Sequence, residues 1–590
     1  MNIEPLESRI APAAVFVTYT DLDGDSVKIT ASKPGATAPP LDATDLTFVG
    51  GGTAGQLAKL DLTAAGFDGA KIIFTVTKKP GGDGLAHVGF IDATGLDLDQ
   101  VVVKGDLGKI VAGDANTTSD PGLHLLSVRT MGTAGLVTGA ADLASAIHGG
   151  LGALKVAGDF TDASLITTSG GIGSVFIGGD LTGGNAAGSG RIASAAAIGP
   201  VKVVGDVHGW AGTDSGLIIS ATTMGAVSVG GDVIGGSGQG SGRIDGTASM
   251  GNVTVGGDVI GGGGDDSGWI FSNGNQGNVT IRGSVIGGAG ATSGVIDSNG
   301  AKGHVSIGGS LAGGPGAESG RIFSVLAMGN VKIGGSVVGG AGGGSGTIFS
   351  TTALGTVSVG GDLIGASIAG SASLLNSGTI GSGGRLASVT IGGSIVAGSD
   401  SSTGSLAYSG AIFALADLGP VKVGGGIVGN ITNSVLILAK GQAVKPATGF
   451  DVAIASVTVK GDVRFANILA GFDINRTPVN ADASIGAVSV GGDWVAGNLV
   501  AGAQDAGAPG FGVGDTLQTT GDTSLTARIA SIAIRGDVGG TIGAGDHFGF
   551  VAQQIGSFKS FGFTAPLLAA TANQNLAIPF TNDVRILEVS

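Results

Sequence analysis

The stretch that decides the fold is GNVTVGGDVIGG, residues 251–262. Apolar residues alternate with a small polar one over residues 253–255, a Gly-Gly-Asp corner follows at 256–258, and the apolar pair Val259-Ile260 then meets two more glycines. Alternation with a period of two predicts a strand with one buried face, and glycine permits the left-handed backbone that tight corners need. The stretch therefore predicts a short strand, a corner and a second short strand.

The Gly-Gly-Asp corner, or a close variant of it, recurs every 26 residues. Its third position falls at residues 180, 206, 232, 258, 284, 310, 336 and 362. A third apolar run follows a Ser-Gly pair in every unit and contains an unbroken isoleucine column, namely Ile192, Ile218, Ile244, Ile270, Ile296, Ile322 and Ile348. Three strands and three corners in each repeat predict an all-β fold, a single parallel β-helix (β-solenoid) with about 26 residues per coil. The crossover rule for parallel strands predicts that the coils are right-handed.

The two ends of the chain depart from this repeat. We expect a tail with an N-terminal motif at 1–13, an atypical β capping region at 14–85, the parallel β-helix at 86–560 with regular coils over 174–365, and a C-terminal cap or tail at 561–590. Capping is expected because an open terminal coil exposes both its core and its unpaired strand edge.

Beyond Asp362 the repeat lengthens. The corner residues fall at 394, 426, 462, 493 and 537, which adds 6, 6, 10, 5 and 18 residues to the basic unit. Insertions at a repeated corner project from one side of a solenoid, where such proteins often bind ligands. The candidate functional surface therefore consists of loops near residues 366–376, 398–408, 430–452, 466–484 and 498–528. The alternative is drift in length at a solvent-exposed corner.

Composition excludes several classes of function. The formal net charge is −15 and no basic cluster occurs, so nucleic acid is not an expected partner. The absence of Cys excludes disulfides and thiolate chemistry. No apolar run reaches the ~18 residues that a membrane span requires, so we expect no membrane span.

Two acidic patterns suggest calcium. Asp180, Asp206, Asp232 and Asp258 are expected to stack as a ladder, and a calcium ion would relieve the repulsion of about 1 kcal/mol between neighbouring carboxylates. The alternative is capping of the turn by each side chain, which is favoured because Ser takes the same place at residues 284, 310 and 336. The run DLDGD, residues 21–25, has its glycine too early for an EF-hand, and we predict that it forms a hairpin turn.

The N-terminal stretch LESRIAPAA, residues 6–14, resembles the short Leu-Glu-Ser/Pro-Arg motif at the start of large repeat-rich surface proteins of certain environmental Gram-negative bacteria. Residues 19–25, YTDLDGD, and the coils that follow also look like those uncharacterised β-strand-repeat proteins. The resemblance implies an exported, extracellular or surface-associated protein. It implies no catalytic residues.

The leading hypothesis is a non-enzymatic cell-surface or secreted β-helix that serves as a scaffold or adhesin, with polysaccharide or cell-envelope components as partners. The alternative is a polysaccharide lyase or glycoside hydrolase of the β-helix type, which needs positioned carboxylates in a lateral groove. The sequence reveals no such constellation, and Arg191, Arg243 and Arg321 are expected to solubilise one face or to meet an acidic glycan. A groove with paired carboxylates beside the insertions would point to polysaccharide substrates.

Overall fold

The computed structural model describes residues 14–33, 41–114, 121–442, 450–506, 510–522, 524–541, 545–568, 574–579, 581 and 583–590. The predicted fold class is confirmed, since the protein is 48% strand and 2% helix and most of its strands pair in parallel. Residues 1–13, which carry most of the LESR motif, lie outside the described residues. In the described part of the chain, no helix is long and apolar enough to cross a membrane.

The chain divides into two compact units. The first contains Met1–Gly257 and Ser267–Gly274, and the second contains Asp258–Asp266 and Asn275–Ser590. In the regular coils of each unit, a coil contributes one short strand to each of three rows, and each strand pairs in parallel with its equivalent one coil away. The register is the predicted one, because Val201 pairs with Val227 and Ile322 pairs with Ile348, both 26 residues apart.

The first unit begins with antiparallel strands and continues as coils. Ala14–Thr20 pairs antiparallel with Ser26–Ser32, which pairs antiparallel with Ala70–Thr77, so the predicted hairpin at residues 21–25 is confirmed. Leu46–Phe48 pairs antiparallel with Leu57–Asp61, and parallel pairing starts where Leu57–Asp61 meets Val88–Thr94. Among the described residues, short 3-10 helices occupy Ala43–Asp45, Ala65–Phe67 and Gly135–Thr138.

The strands of the coils in the first unit form three rows. The first row contains Leu98–Gly113, Leu123–Met131, Leu151–Val156, Val175–Ile177, Val201–Val203, Val227–Val229 and Val253–Val255. The second row contains Phe160–Thr161, Leu181–Thr182, Val207–His208 and Val233–Ile234. The third row contains Ala144–Ile147, Ser164–Thr167, Arg191–Ser194, Leu217–Ser220, Arg243–Gly246 and Trp269–Ser272. Thr223–Met224 and Ser249–Met250 form a further pair.

The second unit repeats this plan. Its first row contains Val279–Ile281, Val305–Ile307, Val331–Ile333, Leu354–Val359, Leu386–Ile391, Val421–Val423, Asp451–Val459, Ala483–Val490, Arg528–Ile534, Gln554–Ile555 and Phe558–Ser560. Its second row contains Val259–Ile260, Val285–Ile286, Leu311–Ala312, Val337–Val338, Leu363–Ile364, Ile395–Val396, Ile427–Val428, Val463–Arg464, Trp494–Val495 and Val538–Gly539. Its third row contains Val295–Ser298, Arg321–Ser324, Thr347–Ser350, Thr379–Ser382, Ala411–Ala414, Val435–Ala439, Ala466–Ala470, Asn498–Ala501, Phe548–Ala552 and Val584–Glu588.

The segment that was predicted as a C-terminal cap contains both kinds of pairing. Val584–Glu588 continues the third row by pairing in parallel with Phe548–Ala552. Asn575–Ala577 pairs antiparallel with Val584–Glu588, and Phe563–Thr564 pairs antiparallel with Phe558–Ser560. These antiparallel strands occupy edges that would otherwise be open to pairing with another chain.

The core of each unit consists of stacked aliphatic side chains. The inward-facing residues of the rows, such as Val203 and Val207 in the first unit and Ile322 and Val337 in the second, are completely buried. Each stacked pair removes apolar surface from water, and this burial stabilises the fold by roughly 25 cal/mol per Å². The core is therefore a set of aliphatic columns, and the outward-facing side chains remain free to vary.

In the regular coils, a serine secures the corner before the third-row strand. In the second unit, the Ser319 hydroxyl donates to the Gly316 carbonyl at 2.7 Å and accepts the Gly314 N–H at 2.9 Å. The residue before this serine has a left-handed backbone, with φ of 56° at Glu318 and also at Asn376. This geometry explains the Ser-Gly column of the sequence, and it places one variable side chain per coil beside the third row.

Candidate functional site

A groove in the second unit lies along the outer face of the third row. Its pocket of about 520 Å³ is lined by Glu318, Arg321, Phe323, Gly344, Thr347, Phe349, Asn376, Thr379, Phe413, Leu415 and Ile474. Asn376 closes the insertion predicted at 366–376, and Ile474 belongs to the one predicted at 466–484. The groove therefore lies beside the insertions that the sequence marked as a functional surface.

Three phenylalanine rings form the floor of the groove. The ring centroids of Phe323 and Phe349 are 6.1 Å apart with an angle of 14° between the planes, and those of Phe349 and Phe413 are 5.9 Å apart. The three rings occupy the same outward position of successive third-row strands, except that the coil between Phe349 and Phe413 has Gly381 there. The Phe413 ring fills the space over Gly381, where an added Cβ would lie 2.3 Å from its Cζ. The missing side chain thus lets the row of rings continue across this coil.

Charged groups meet at one end of this floor. The Arg321 guanidinium forms ion pairs with both Asp297 and Glu318, and its Cζ lies 4.5 Å from the centroid of the Phe323 ring. The Asp297 side chain is 5% exposed and the Glu318 side chain is 55% exposed. Burial raises the pKa of Asp297, although the charge of Arg321 and its hydrogen bond act in the opposite direction. The site thus pairs a buried carboxyl with an exposed carboxylate across one arginine.

Three polar atoms around this end are buried without a hydrogen-bond partner among the described residues. They are Asp297 Oδ1, Arg321 Nε and Asn376 Oδ1. Buried polar atoms are almost always satisfied by protein, water or ligand, so a cluster of exceptions marks a place where another molecule is expected.

No such arrangement was apparent in the sequence. Two carboxylates and one guanidinium nevertheless meet at the end of the groove, because Arg321 pairs with both Asp297 and Glu318. The residues that meet are 24 positions apart in the sequence, one coil away from each other. The signal that could have found them is the outward column of the third strand, which holds Asp297, Phe323 and Phe349 at steps of 26.

The insertions cover the rest of the apolar outer face. Phe472 and Ala503 are buried in one cluster with outward third-row residues such as Leu438, Leu469 and Val500. The insertions at 366–376 and 398–408 also stack on each other, because Ile368–Gly370 pairs with Asp400–Ser402 and Leu374–Leu375 pairs with Leu406–Ala407. Phe323 and Phe349 remain partly exposed, so the groove is the stretch of this face that the insertions leave open.

The corner aspartates act on the backbone. In the first unit, Asp180 Oδ1 accepts the N–H of Asp206 and Asp206 Oδ1 accepts the N–H of Asp232, both at 2.8 Å. In the second unit, Asp258 Oδ1 accepts the N–H of Ser284 at 2.6 Å, and the Ser284 hydroxyl accepts the N–H of Ser310. This arrangement supports turn capping, and calcium binding by Asp180, Asp206, Asp232 and Asp258 stays a prediction.

Asp21, Asp23 and Asp25 lie at the hairpin turn of the first unit. One carboxylate oxygen from each lies within 4.8 Å of the others, a spacing that would suit a cation. Backbone groups already hold all three, since Asp21 accepts the N–H of Asp25, Asp23 accepts that of Asp83, and Asp25 accepts those of Lys79 and Gly84. Burial and the neighbouring Asp23 raise the pKa of Asp21 to about 6. Acidic turns of this kind are common without a metal, so the arrangement does not by itself define a site.

Comparisons of the chain with protein-family models, with curated proteins and with solved structures found no match, so the groove itself is the evidence on function.

Proposed function

We propose that this protein is an exported β-solenoid that binds a polysaccharide chain in the groove of its second unit. The observation that carries the proposal is the pair of partly exposed rings of Phe323 and Phe349, which the buried ring of Phe413 continues and which Glu318, Arg321 and Asn376 flank. Sugar rings stack their C–H faces on aromatic rings, and a few convergent polar groups fix the orientation of their hydroxyls.

The repeat suits a polymer. The partly exposed rings of Phe323 and Phe349 lie 6.1 Å apart on adjacent coils, so two consecutive residues of a glycan can contact them. An exposed apolar patch is uncommon on a soluble protein unless it binds something, and polar rims are typical of such patches. The export and surface location rest on the resemblance of the N-terminal motif and of the coils, and not on the groove.

The test is binding of the full chain to a panel of soluble polysaccharides, measured by affinity electrophoresis and calorimetry. Phe349→Ala is expected to weaken binding at least tenfold, because it removes the central ring. Glu318→Gln is expected to weaken it severalfold without a change in melting temperature, since Glu318 is exposed.

Phe176→Ala is the matched control, because Phe176 is also partly exposed and outward-facing but lies on a first-row strand of the first unit. Equal loss of binding in the control and in Phe349→Ala would remove the groove from the proposal.

Cleavage of the bound chain is a second candidate function. Its support is the buried carboxyl of Asp297, whose pKa is raised and whose Oδ1 has no described partner, beside the carboxylate of Glu318. A glycosidase uses one carboxyl with a raised pKa as an acid and a second carboxylate as a base or nucleophile. Release of reducing ends that disappears in Asp297→Asn while binding remains would establish cleavage. Binding without release would leave an adhesin or scaffold.

A further inference from the structure

The first unit has its own aromatic and charged cluster on the outer face of the third row. We call Arg243, Asp245, Trp269 and Phe271 the Trp269 cluster. The ring centroids of Trp269 and Phe271 are 4.4 Å apart, and Arg243 Cζ lies 4.4 Å from the Trp269 centroid. Arg243 pairs with Trp269 and Asp245 with Phe271 on adjacent strands, so all four side chains share one face.

The Trp269 cluster contains three buried polar atoms without a partner among the described residues, namely Arg243 Nε, Asp245 Oδ1 and Trp269 Nε1. Asp245 is 5% exposed, and its Oδ2 accepts Arg243 Nη2 at 2.5 Å. Burial raises the pKa of Asp245 against the opposing charge of Arg243. Such a concentration of unsatisfied atoms around a partly exposed indole is not expected of a surface that only faces water.

The chemistry of the cluster selects a class of ligand. Arg243 is neutralised by Asp245, and Asp214 adds a further negative charge nearby, so an anion is disfavoured. The unsatisfied atoms are two donors and one acceptor beside an aromatic face, which matches adjacent hydroxyls on a neutral ring. We infer that the Trp269 cluster is a second sugar site, which binds a neutral pyranose on the indole of Trp269. The inference rests on the proposed function for the class of ligand, but not on the groove of the second unit.

Binding at this cluster replaces the stack of Arg243 on Trp269 with a stack of the sugar on Trp269. Arg243 moves off the Trp269 face, the pyranose takes its place, and hydroxyls bond to Asp245 Oδ1 and to the indole N–H. The exchange costs the cation–π contact, which the sugar stack and the new hydrogen bonds offset. The cluster therefore adapts to its ligand, whereas the groove of the second unit is already open.

Tryptophan fluorescence tests the inference, because the chain has three tryptophans and Trp494 is completely buried. The probes are neutral hexasaccharides of glucose and of mannose, added to the full chain carrying Trp210→Phe. A saturable change in fluorescence is expected, and it should persist when Phe349→Ala is added. Trp269→Phe should abolish the change and Asp245→Asn should weaken the affinity at least fivefold, with the melting temperature retained.

Calorimetry separates this inference from the proposed function. Two equivalents of oligosaccharide per chain are expected, falling to one in Trp269→Phe and to one in Phe349→Ala. One equivalent that is lost only in Phe349→Ala would overturn the second site and leave the groove. One equivalent that is lost only in Trp269→Phe would overturn the groove, and no binding to either probe would overturn both.

Discussion

The ammonium group of Lys302 donates a hydrogen bond to the side-chain oxygen of Gln276, one coil earlier, in the interior of the second unit. Both residues are 3% exposed and occupy a column that continues with Met328 and Leu354. Burial lowers the pKa of Lys302 to about 7, although Asp297 acts in the opposite direction. The column thus contains a polar pair where its neighbours are apolar.

We expect replacement of this pair by Lys302→Met with Gln276→Met to stabilise the protein by roughly 1–3 kcal/mol at pH 7, because well-packed apolar side chains avoid the cost of burying a charge. The pKa of Lys302 is depressed in the folded state, so the unfolded chain binds more protons between about pH 7 and pH 10. The stability of the wild type should rise with pH over this window, and the rise should be smaller in the double variant.

Thermal unfolding at pH 7 and pH 9.5 measures both effects. Lys332→Met is the control, since Lys332 lies on an exposed outward position of the first row. A double variant that melts lower than the wild type at both pH values would contradict the expectation.

The hydrogen bonds between successive corner residues predict that substitutions of Asp206 lower the stability by different amounts. Asp206→Ala removes the acceptor for the N–H of Asp232 and should cost about 1 kcal/mol. Asp206→Ser should cost less, because serine already does the same work at Ser284 and Ser310. Melting temperatures with and without a chelator test the calcium prediction for this column. A calcium-dependent stabilisation that is lost in Asp206→Ser would support metal binding over capping alone.

Asp451 predicts a pH dependence of opposite sign to that of Lys302. Burial raises its pKa to about 6, although Asn480 and the N–H of Gln442 donate to its carboxylate. An acid whose folded pKa is raised contributes stability at low pH and loses it as the pH rises through the folded value. The free energy of unfolding should therefore fall between about pH 4 and pH 6. Urea unfolding measures this pH dependence, and it should be weaker in Asp451→Asn.

Asp400 provides a control for the pH dependence of stability that is expected from Asp451. Its pKa is lowered by the Ser402 hydroxyl, so Asp400→Asn should remove stability above pH 4 and not add it. The same response from both variants would show that the slope does not come from Asp451.

The contact of the Phe413 ring with Gly381 predicts that the groove floor does not tolerate an added side chain at residue 381. An added Cβ would lie 2.3 Å from the Phe413 ring, so Gly381→Ala should displace that ring and cost about 1–3 kcal/mol. Binding of polysaccharide should weaken with it. Gly539→Ala is the control, because nothing lies within 4 Å of its added Cβ. Equal melting temperatures and equal binding for the two variants would contradict this account of the floor.

Much of the fold was predictable because the 26-residue repeat places equivalent residues in the same structural environment in many coils. The Ile192 to Ile348 column and the corner glycines state the register directly, and the structure pairs Ile218 with Ile244 as expected. The region before the coils was less accessible, since the single 16-residue strand Leu98–Gly113 pairs with several partners and has no repeat to reveal it.

The candidate sites were less predictable than the coils. Asp297 and Arg321 are both ordinary outward residues in sequence, and the contact between them depends on which columns adjoin and on what the insertions cover. Trp269 and Arg243 present the same difficulty, since their stack joins neighbouring coils. Charge and aromatic content along one outward column indicate such sites, but the burial that gives Asp245 and Asp297 their unusual environment appears only in three dimensions.

The left-handed corner before each serine has an evolutionary consequence. Asp214 occupies it in the first unit, and Thr292, Glu318, Asn376 and Tyr408 occupy it in the second. The serine hydroxyl and the backbone hold this corner, so the side chain there is under little constraint from the core. Mutation can therefore exchange one residue at the edge of the third row, coil by coil, while the hydrogen bonds of the stack persist. A lineage of such proteins could thus change ligands in single steps, each nearly neutral for folding.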